Sequence, residues 1–249
     1  MTAPVAAEPP VPAELARGWV ERFERMQARY SGARAARRAA VLAQVERACS
    51  RPGPARRVVL ELGAGPGTLA AEVVARCRGV VVVAIEPDPL LRALGRATVP
   101  RGVRYVDRVA GLPGWDGPLA GDLPVRAVVA DAVLHYLDAA APASLHAELR
   151  GLLDRDGVVV VADQLPDAGS PADAGATDDD DGETWTAWWQ AAVADPTLRA
   201  VAGDPRGPVL DGDGELTVQG HRAALVAGGF TAVDEVWRRG DSAVLVARP

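Results

Sequence analysis

The sequence contains no lysine and no asparagine, and its single isoleucine is Ile85. All 27 basic side chains are therefore arginines, and against 33 acidic residues they leave a net charge of −6 and an isoelectric point near 5.2. Such a balance gives the molecule as a whole no attraction for a phosphate backbone, which argues against a nucleic-acid substrate. A local basic group at Arg34, Arg37 and Arg38 remains. Cys49 and Cys77 are the only cysteines, so there is neither a disulfide framework nor a CxxC metal pair, and both read as buried thiols. No uninterrupted apolar run reaches the roughly eighteen residues of a membrane span. Met1 to Pro10 lacks the basic head and apolar core of a signal peptide, and the expected location is cytoplasmic. Scarcity of Lys, Asn and Ile beside abundant Ala, Arg, Gly, Val and Pro is associated with high-GC bacterial genomes.

What is present suits one sizeable domain with embellishments: 249 residues with 49% hydrophobic content. The expected organisation is a disordered lead-in at 1–11, N-terminal helices forming a cap or lid at 12–50, and a main domain at 51–249 carrying an insertion at 164–216. From Pro12 to Cys49 apolar residues recur at helical spacing, broken at Ser31-Gly32, which predicts two helices. Val58 to Leu62, Val80 to Ile85, Val103 to Val106, Ala127 to Ala130 and Val158 to Val161 then read as strands. Between them helices are expected from Leu69 to Cys77, from Asp88-Pro89 to about Thr98, and from Pro142 until Gly157 closes it. Asp88 is the cap of the second of these and Pro89 its first residue. This alternation implies a mostly parallel, doubly wound α/β sheet. Leu165 to Gly182 is loop-like and holds the run Asp178 to Asp181, a solvated surface stretch by composition. Helices are predicted at Glu183 to Val193 and Val218 to Ala227, the latter stopped by Gly228-Gly229. A terminal hairpin pairs Ala232 to Trp237 with Ser242 to Val246.

Chemistry concentrates at Glu61-Leu-Gly-Ala-Gly-Pro-Gly-Thr68. Gly63, Gly65 and Gly67 directly after a strand let the chain turn sharply into a helix while a ligand approaches the backbone. The dinucleotide fingerprint GxGxxG would need glycine at position 68, where Thr68 stands. Glu86 ends the next strand, where a carboxylate can accept hydrogen bonds from ribose hydroxyls. NAD sites share that logic, so Glu86 supports an adenosine-type ligand without choosing among them.

On these residues the chain resembles the class I (Rossmann-like) S-adenosylmethionine-dependent methyltransferases of small-molecule type. Glu61 to Gly67 looks like their first motif and Ile85 to Pro89 like the acidic loop after it. The likeness continues through Asp131 to Tyr136, Leu152 to Val158, and Ala224 to Trp237. It implies a seven-stranded, mostly parallel sheet with an antiparallel C-terminal hairpin strand, N-terminal helices and a helical lid insertion. S-adenosylmethionine is the implied cofactor. Its methionine part would face Gly63, Ala64, Gly65 and Gly67, with Glu61 nearby. Glu86 would bind the ribose, Pro87 to Leu90 would flank the adenine, and Asp131 and Tyr30 would complete the cofactor set. The family often carries an acid after the third strand to meet the adenine amino group, but Val109 aligns there. Backbone atoms of Val109 and Ala110, or a shifted Asp107, are the substitutes.

Methyl transfer needs the nucleophile aligned and its proton removed. His135 is the candidate general base, though it could equally cap the following segment. Tyr136 and Asp163 at strand ends are candidate substrate contacts. Trp185, Trp188 and Trp189 at i, i+3 and i+4 make one aromatic helix face, either core or a substrate cover. His146 and His221 are expected outside the site. No metal site is expected; the partner is a small molecule rather than nucleic acid or membrane, and the chain could assemble as a homodimer. Three alternatives stay open: an S-adenosylmethionine-binding relative with non-methylating chemistry such as cyclisation, a non-catalytic ligand-binding protein, and an NAD(P)-dependent oxidoreductase.

Overall fold

The computed structural model describes residues 10–30, 33–53, 56–136, 141–165, 182–202 and 217–249; the side chains of Tyr30, Tyr136 and 141–143 lie outside the described set. The run Asp178 to Asp181 also falls outside it. Strands β1 (Arg57–Leu62), β2 (Val80–Ile85), β3 (Val103–Val106), β4 (Val125–Asp131) and β5 (Leu153–Gln164) are parallel. The hairpin of β6 (Ala232–Arg239) and β7 (Ser242–Arg248) completes a seven-stranded sheet in the order β3-β2-β1-β4-β5-β7-β6, with β7 antiparallel to both neighbours. This is the doubly wound α/β architecture anticipated from the alternating pattern.

The helices are α1 (Ala13–Tyr30), α2 (Arg34–Ser50), α3 (Thr68–Arg76), α4 (Pro89–Thr98), α5 (Ala141–Leu152), α6 (Trp185–Ala194), α7 (Pro196–Ala202) and α8 (Val218–Ala227). The central strands are apolar almost without interruption because helices cover both faces of the sheet. On one face Leu145 and Leu149 of α5 and Leu225 of α8 pack with Leu60, Val128 and Val161. On the other, Val41, Leu42 and Val45 of α2 and Leu69 and Val73 of α3 pack with Val59, Val129 and Val160. A third core joins α1, α4, α6 and α7 around Phe23, Met26, Leu90, Leu94, Trp188 and Leu198.

Several sequence expectations are corrected. Val11, the last residue of the expected lead-in, is buried in the third core, and residues 1–9 lie outside the described set. Helix α2 packs into the core on one face of the sheet. Helix α5 ends at Leu152 and not at Gly157, because Leu153 pairs with Val125 ahead of a register shift, extending β5 backwards. Helix α6 starts at Trp185, where the Thr184 hydroxyl caps it by accepting from the Ala187 N–H at 3.2 Å. Helix α7, opened by Pro196, has too little periodicity to be read from sequence.

The chain winds from β1 outward through β2 to β3, then returns to β4 on the opposite side of β1 and continues to β5. In such sheets a crevice opens beyond the carboxyl ends of the two strands where direction reverses. Here those ends are Glu61-Leu62 on β1 and Ala130-Asp131 on β4, with Leu62 paired to Ala130.

Candidate active site

The turn leaving β1 is built by three residues in the left-handed region: Gly63 (φ 60°), Gly65 (φ 55°) and Gly67 (φ 74°). L-residues pay for that conformation through their Cβ. At Gly63 a Cβ would collide with Val133, and at Gly67 with the Tyr105 hydroxyl, so these two are required for packing. At Gly65 only Phe23 Cζ, 3.7 Å away, would be met, an ordinary contact; this is the one glycine of the turn at which a Cβ would not collide. Ala64 is buried against Tyr105. Tyr105 also donates from its hydroxyl to the Gly65 carbonyl at 3.1 Å.

Glu86 is buried at the end of β2, and both its oxygens are held by backbone donors. The Gly65 N–H reaches Oε2 at 2.7 Å and the Asp88 N–H reaches Oε1 at 2.8 Å. Burial nevertheless pushes its carboxyl up to about 7. Glu61 is also buried, with Oε2 lacking a hydrogen-bond partner. Burial raises it to about 8; Arg38 pulls it down, and Asp131 and Glu86 add repulsion. Asp131, likewise pushed up by burial, forms an ion pair with the buried Arg37 at 3.0 Å. The crevice thus gathers three acids that burial pushes upward, Asp131 paired with Arg37, Glu86 held by backbone donors and Glu61 with one oxygen unpartnered. Ala132, which follows Asp131, is the only non-glycine residue at positive φ (56°) among those described. A strained residue at a strand end is the kind of backbone a site tolerates for placing its neighbours, here Asp131 and Val133.

His135 lies in a 3-10 turn (Leu134–Tyr136) after β4, and Asp163 is buried near the end of β5. Parallel pairing of the two strands brings them together: His135 Nδ1 is 2.9 Å from Asp163 Oδ2 and 3.1 Å from Oδ1. Asp163 also accepts from the Gln164 N–H at 2.9 Å. Sequence reading nominated both residues separately and missed their pairing. His221 is buried and held below its ordinary range by burial, with Asp163 and His135 acting on it from nearby. It therefore lies behind the site rather than remote from it. His146 is wholly buried.

Other expected residues are placed as follows. Leu90 is buried in the third core. Pro87 is exposed, and Val109 and Ala110 are half-buried beyond β3. Asp107 is tied to Arg92 at 3.0 Å. Trp188 is wholly buried, edge-on to Trp19 (5.8 Å) and Phe23 (5.4 Å), and serves the core rather than a recognition surface. Trp185 and Trp189 keep partial exposure beside it. Tyr30 closes α1 and Tyr136 the 3-10 turn; their side chains fall outside the described residues.

The basic group at Arg34, Arg37 and Arg38 is internally neutralised. Arg34 pairs with Glu24, Arg37 with Asp131, and Arg38 with Glu24 and Glu72. Glu24 also accepts from the Thr68 hydroxyl at 2.7 Å, tying α1 to the residue that opens α3. Among the described residues no helix is long and apolar enough to cross a membrane.

No family model matches the chain. In sequence it is similar to an uncharacterized methyltransferase of Mycobacterium sp. (strain JLS), 41% identical over 99 residues that cover 39% of this chain and 38% of that protein. It is also similar to a trans-aconitate 2-methyltransferase of Methylobacterium radiotolerans, 34% identical over 116 residues covering 47% of this chain and 40% of that protein. In structure it is similar to an O-methyltransferase family protein from Burkholderia thailandensis, with a TM-score of 0.59 at 15% identity over 98% of this chain and 65% of that one. The matches thus span two fifths or less of the curated relatives and just under two thirds of the solved protein. The fold is that of the S-adenosylmethionine-dependent methyltransferases.

Proposed function

We propose that the chain binds S-adenosylmethionine and methylates an oxygen, nitrogen or carbon nucleophile of a small molecule, within bacterial specialised metabolism. The observation that carries this reading is the convergence of the glycine turn, Glu61, Glu86 and Asp131 on the crevice between β1 and β4, with the His135–Asp163 pair at the adjoining strand ends. The lining fits the cofactor chemically. Gly65 leaves space at the turn, the unpartnered Glu61 oxygen suits a cationic or hydroxyl-bearing group, and Glu86 keeps a second lone pair on each oxygen for ribose hydroxyls. Backbone atoms of Val109 and Ala110 would serve the adenine side, and the exposed parts of Trp185 and Trp189, with Tyr136, the substrate side.

When bound, S-adenosylmethionine supplies a methyl group activated by a positive sulfur. The chain aligns the acceptor and takes its proton. With Asp163 accepting from Nδ1–H, the imidazole of His135 presents Nε2 as its acceptor nitrogen, which would remove the proton of an O–H or N–H nucleophile as the new bond forms.

Calorimetry with S-adenosylhomocysteine and with NAD tests the reading. Binding of the first and not the second is expected; NAD binding without S-adenosylhomocysteine binding would overturn it. Recovery of a methylated product together with S-adenosylhomocysteine then separates methylation from cyclisation.

A further inference from the structure

Arg92 sits in the opening turns of α4 and is 3% exposed. Sequence motifs nominate nothing at this position. Burying a guanidinium is costly unless its donors are used, so the direction of those donors is informative. One nitrogen, Nη1, lies within hydrogen-bond distance of three acceptors: the Glu86 carbonyl at 3.0 Å, the Pro87 carbonyl at 2.7 Å and Asp107 Oδ1 at 3.0 Å. These acceptors belong to the two loops leaving β2 and β3. The first two are the backbone of the segment that presents the Glu86 carboxylate, whose own oxygens are aimed by the Gly65 and Asp88 N–H groups. The arginine therefore fixes the main chain on which Glu86 hangs. Its charge also favours the ionised form of that carboxyl, against the burial that opposes it.

We propose that Arg92 is a positioning residue that holds Glu86 for recognition of the ribose hydroxyls, so that preference for an intact ribose runs through it. The inference rests on the reading of the crevice as an S-adenosylmethionine site. It distinguishes Arg92 from an ordinary helix anchor such as Leu90 or Leu94, whose side chains contribute apolar packing to the third core.

The test uses the full chain, S-adenosylhomocysteine, and its 2′,3′-dideoxy analogue lacking both hydroxyls, with calorimetry on the wild type, Arg92→Met, Arg92→Lys and Glu86→Gln, and thermal unfolding as a check of folding. The wild type should prefer the intact ligand by roughly tenfold or more, the scale of hydrogen bonds to a charged acceptor. Arg92→Met should weaken the intact ligand by about that factor while changing the analogue less than about twofold, so that the preference collapses toward that of Glu86→Gln. Arg92→Lys, which retains the charge and fewer donors, should fall between and serves as the folded variant if the methionine substitution unfolds the chain. Equal loss for both ligands, or an unchanged preference in the folded variants, would overturn the inference while leaving the cofactor reading intact. A wild type that fails to bind S-adenosylhomocysteine would sink both.

Discussion

An imidazole with one nitrogen engaged by a buried carboxylate is held in a single tautomer, and the consequences are specific to each partner. If His135 is the base proposed above, replacing it by Ala should lower kcat by roughly 10² to 10⁴, with little change in the affinity for S-adenosylhomocysteine. Asp163→Asn is the sharper probe. Its amide can donate to Nδ1 and so reverse the tautomer, leaving Nε2 protonated and unable to accept, as happens when the carboxylate of a catalytic triad is amidated. A comparable loss of kcat is expected with the fold preserved. Steady-state rates with both variants decide the matter, and wild-type turnover in either would remove His135 from the mechanism. The two buried histidines behind the pair do not compete for this role. Burial depresses His221, and it brings His146 to about 4, so His146 is neutral across the working range.

At the scale of elements, the aromatic face of α6 does something the helical spacing could not settle. Trp185, Trp188 and Trp189 mark one side of a helix, but periodicity does not say what lies opposite. The structure puts Trp19 and Phe23 of α1 there, with Leu90 and Leu94 of α4, so the indole of Trp188 is a keystone of three helices. Trp188→Ala should destabilise the protein by about 3–5 kcal/mol through the cavity it leaves. Trp188→Phe should cost far less, because the ring packing survives and the lost indole N–H has no hydrogen-bond acceptor. Denaturant unfolding midpoints of the two variants check this, and equal midpoints would contradict the core assignment. The same contrast explains what was readable in advance. Valine runs at 80 to 83 and 158 to 161, the Asp88-Pro89 helix start and the glycine turn are local signals carried by neighbouring residues. The links that assemble the crevice are not local. Glu24 with Thr68, Arg37 with Asp131, and His135 with Asp163 join side chains from distant parts of the chain, and only the winding of the sheet brings them together. Arg92 leaves no sequence signal for a related reason: its contacts are to main-chain carbonyls, which no residue pattern advertises.

For the molecule as a whole, the acidic crevice ties stability, ligand binding and pH together. Glu61 and Glu86 ordinarily titrate near 4.5, and burial carries them to about 8 and about 7 in the folded chain. Between those limits the native state holds more protons than the unfolded one. The stability they contribute is therefore complete below about pH 4.5 and is lost as pH rises through 7 and 8. Ligand binding runs the other way. On the proposed reading, ribose hydroxyls would donate to an ionised Glu86 and a cationic group would favour an ionised Glu61, so binding should strengthen as both lose their protons. The rise in Tm produced by a fixed excess of S-adenosylhomocysteine should accordingly grow between about pH 6 and pH 8.5. Glu86→Gln should flatten that growth and, without ligand, reduce the decline of Tm across the same interval. Thermal unfolding followed at several pH values, with and without ligand, measures both effects. A ligand-induced shift that shrinks as pH rises would mean that the crevice binds its ligand with these carboxyls protonated, as donors rather than acceptors.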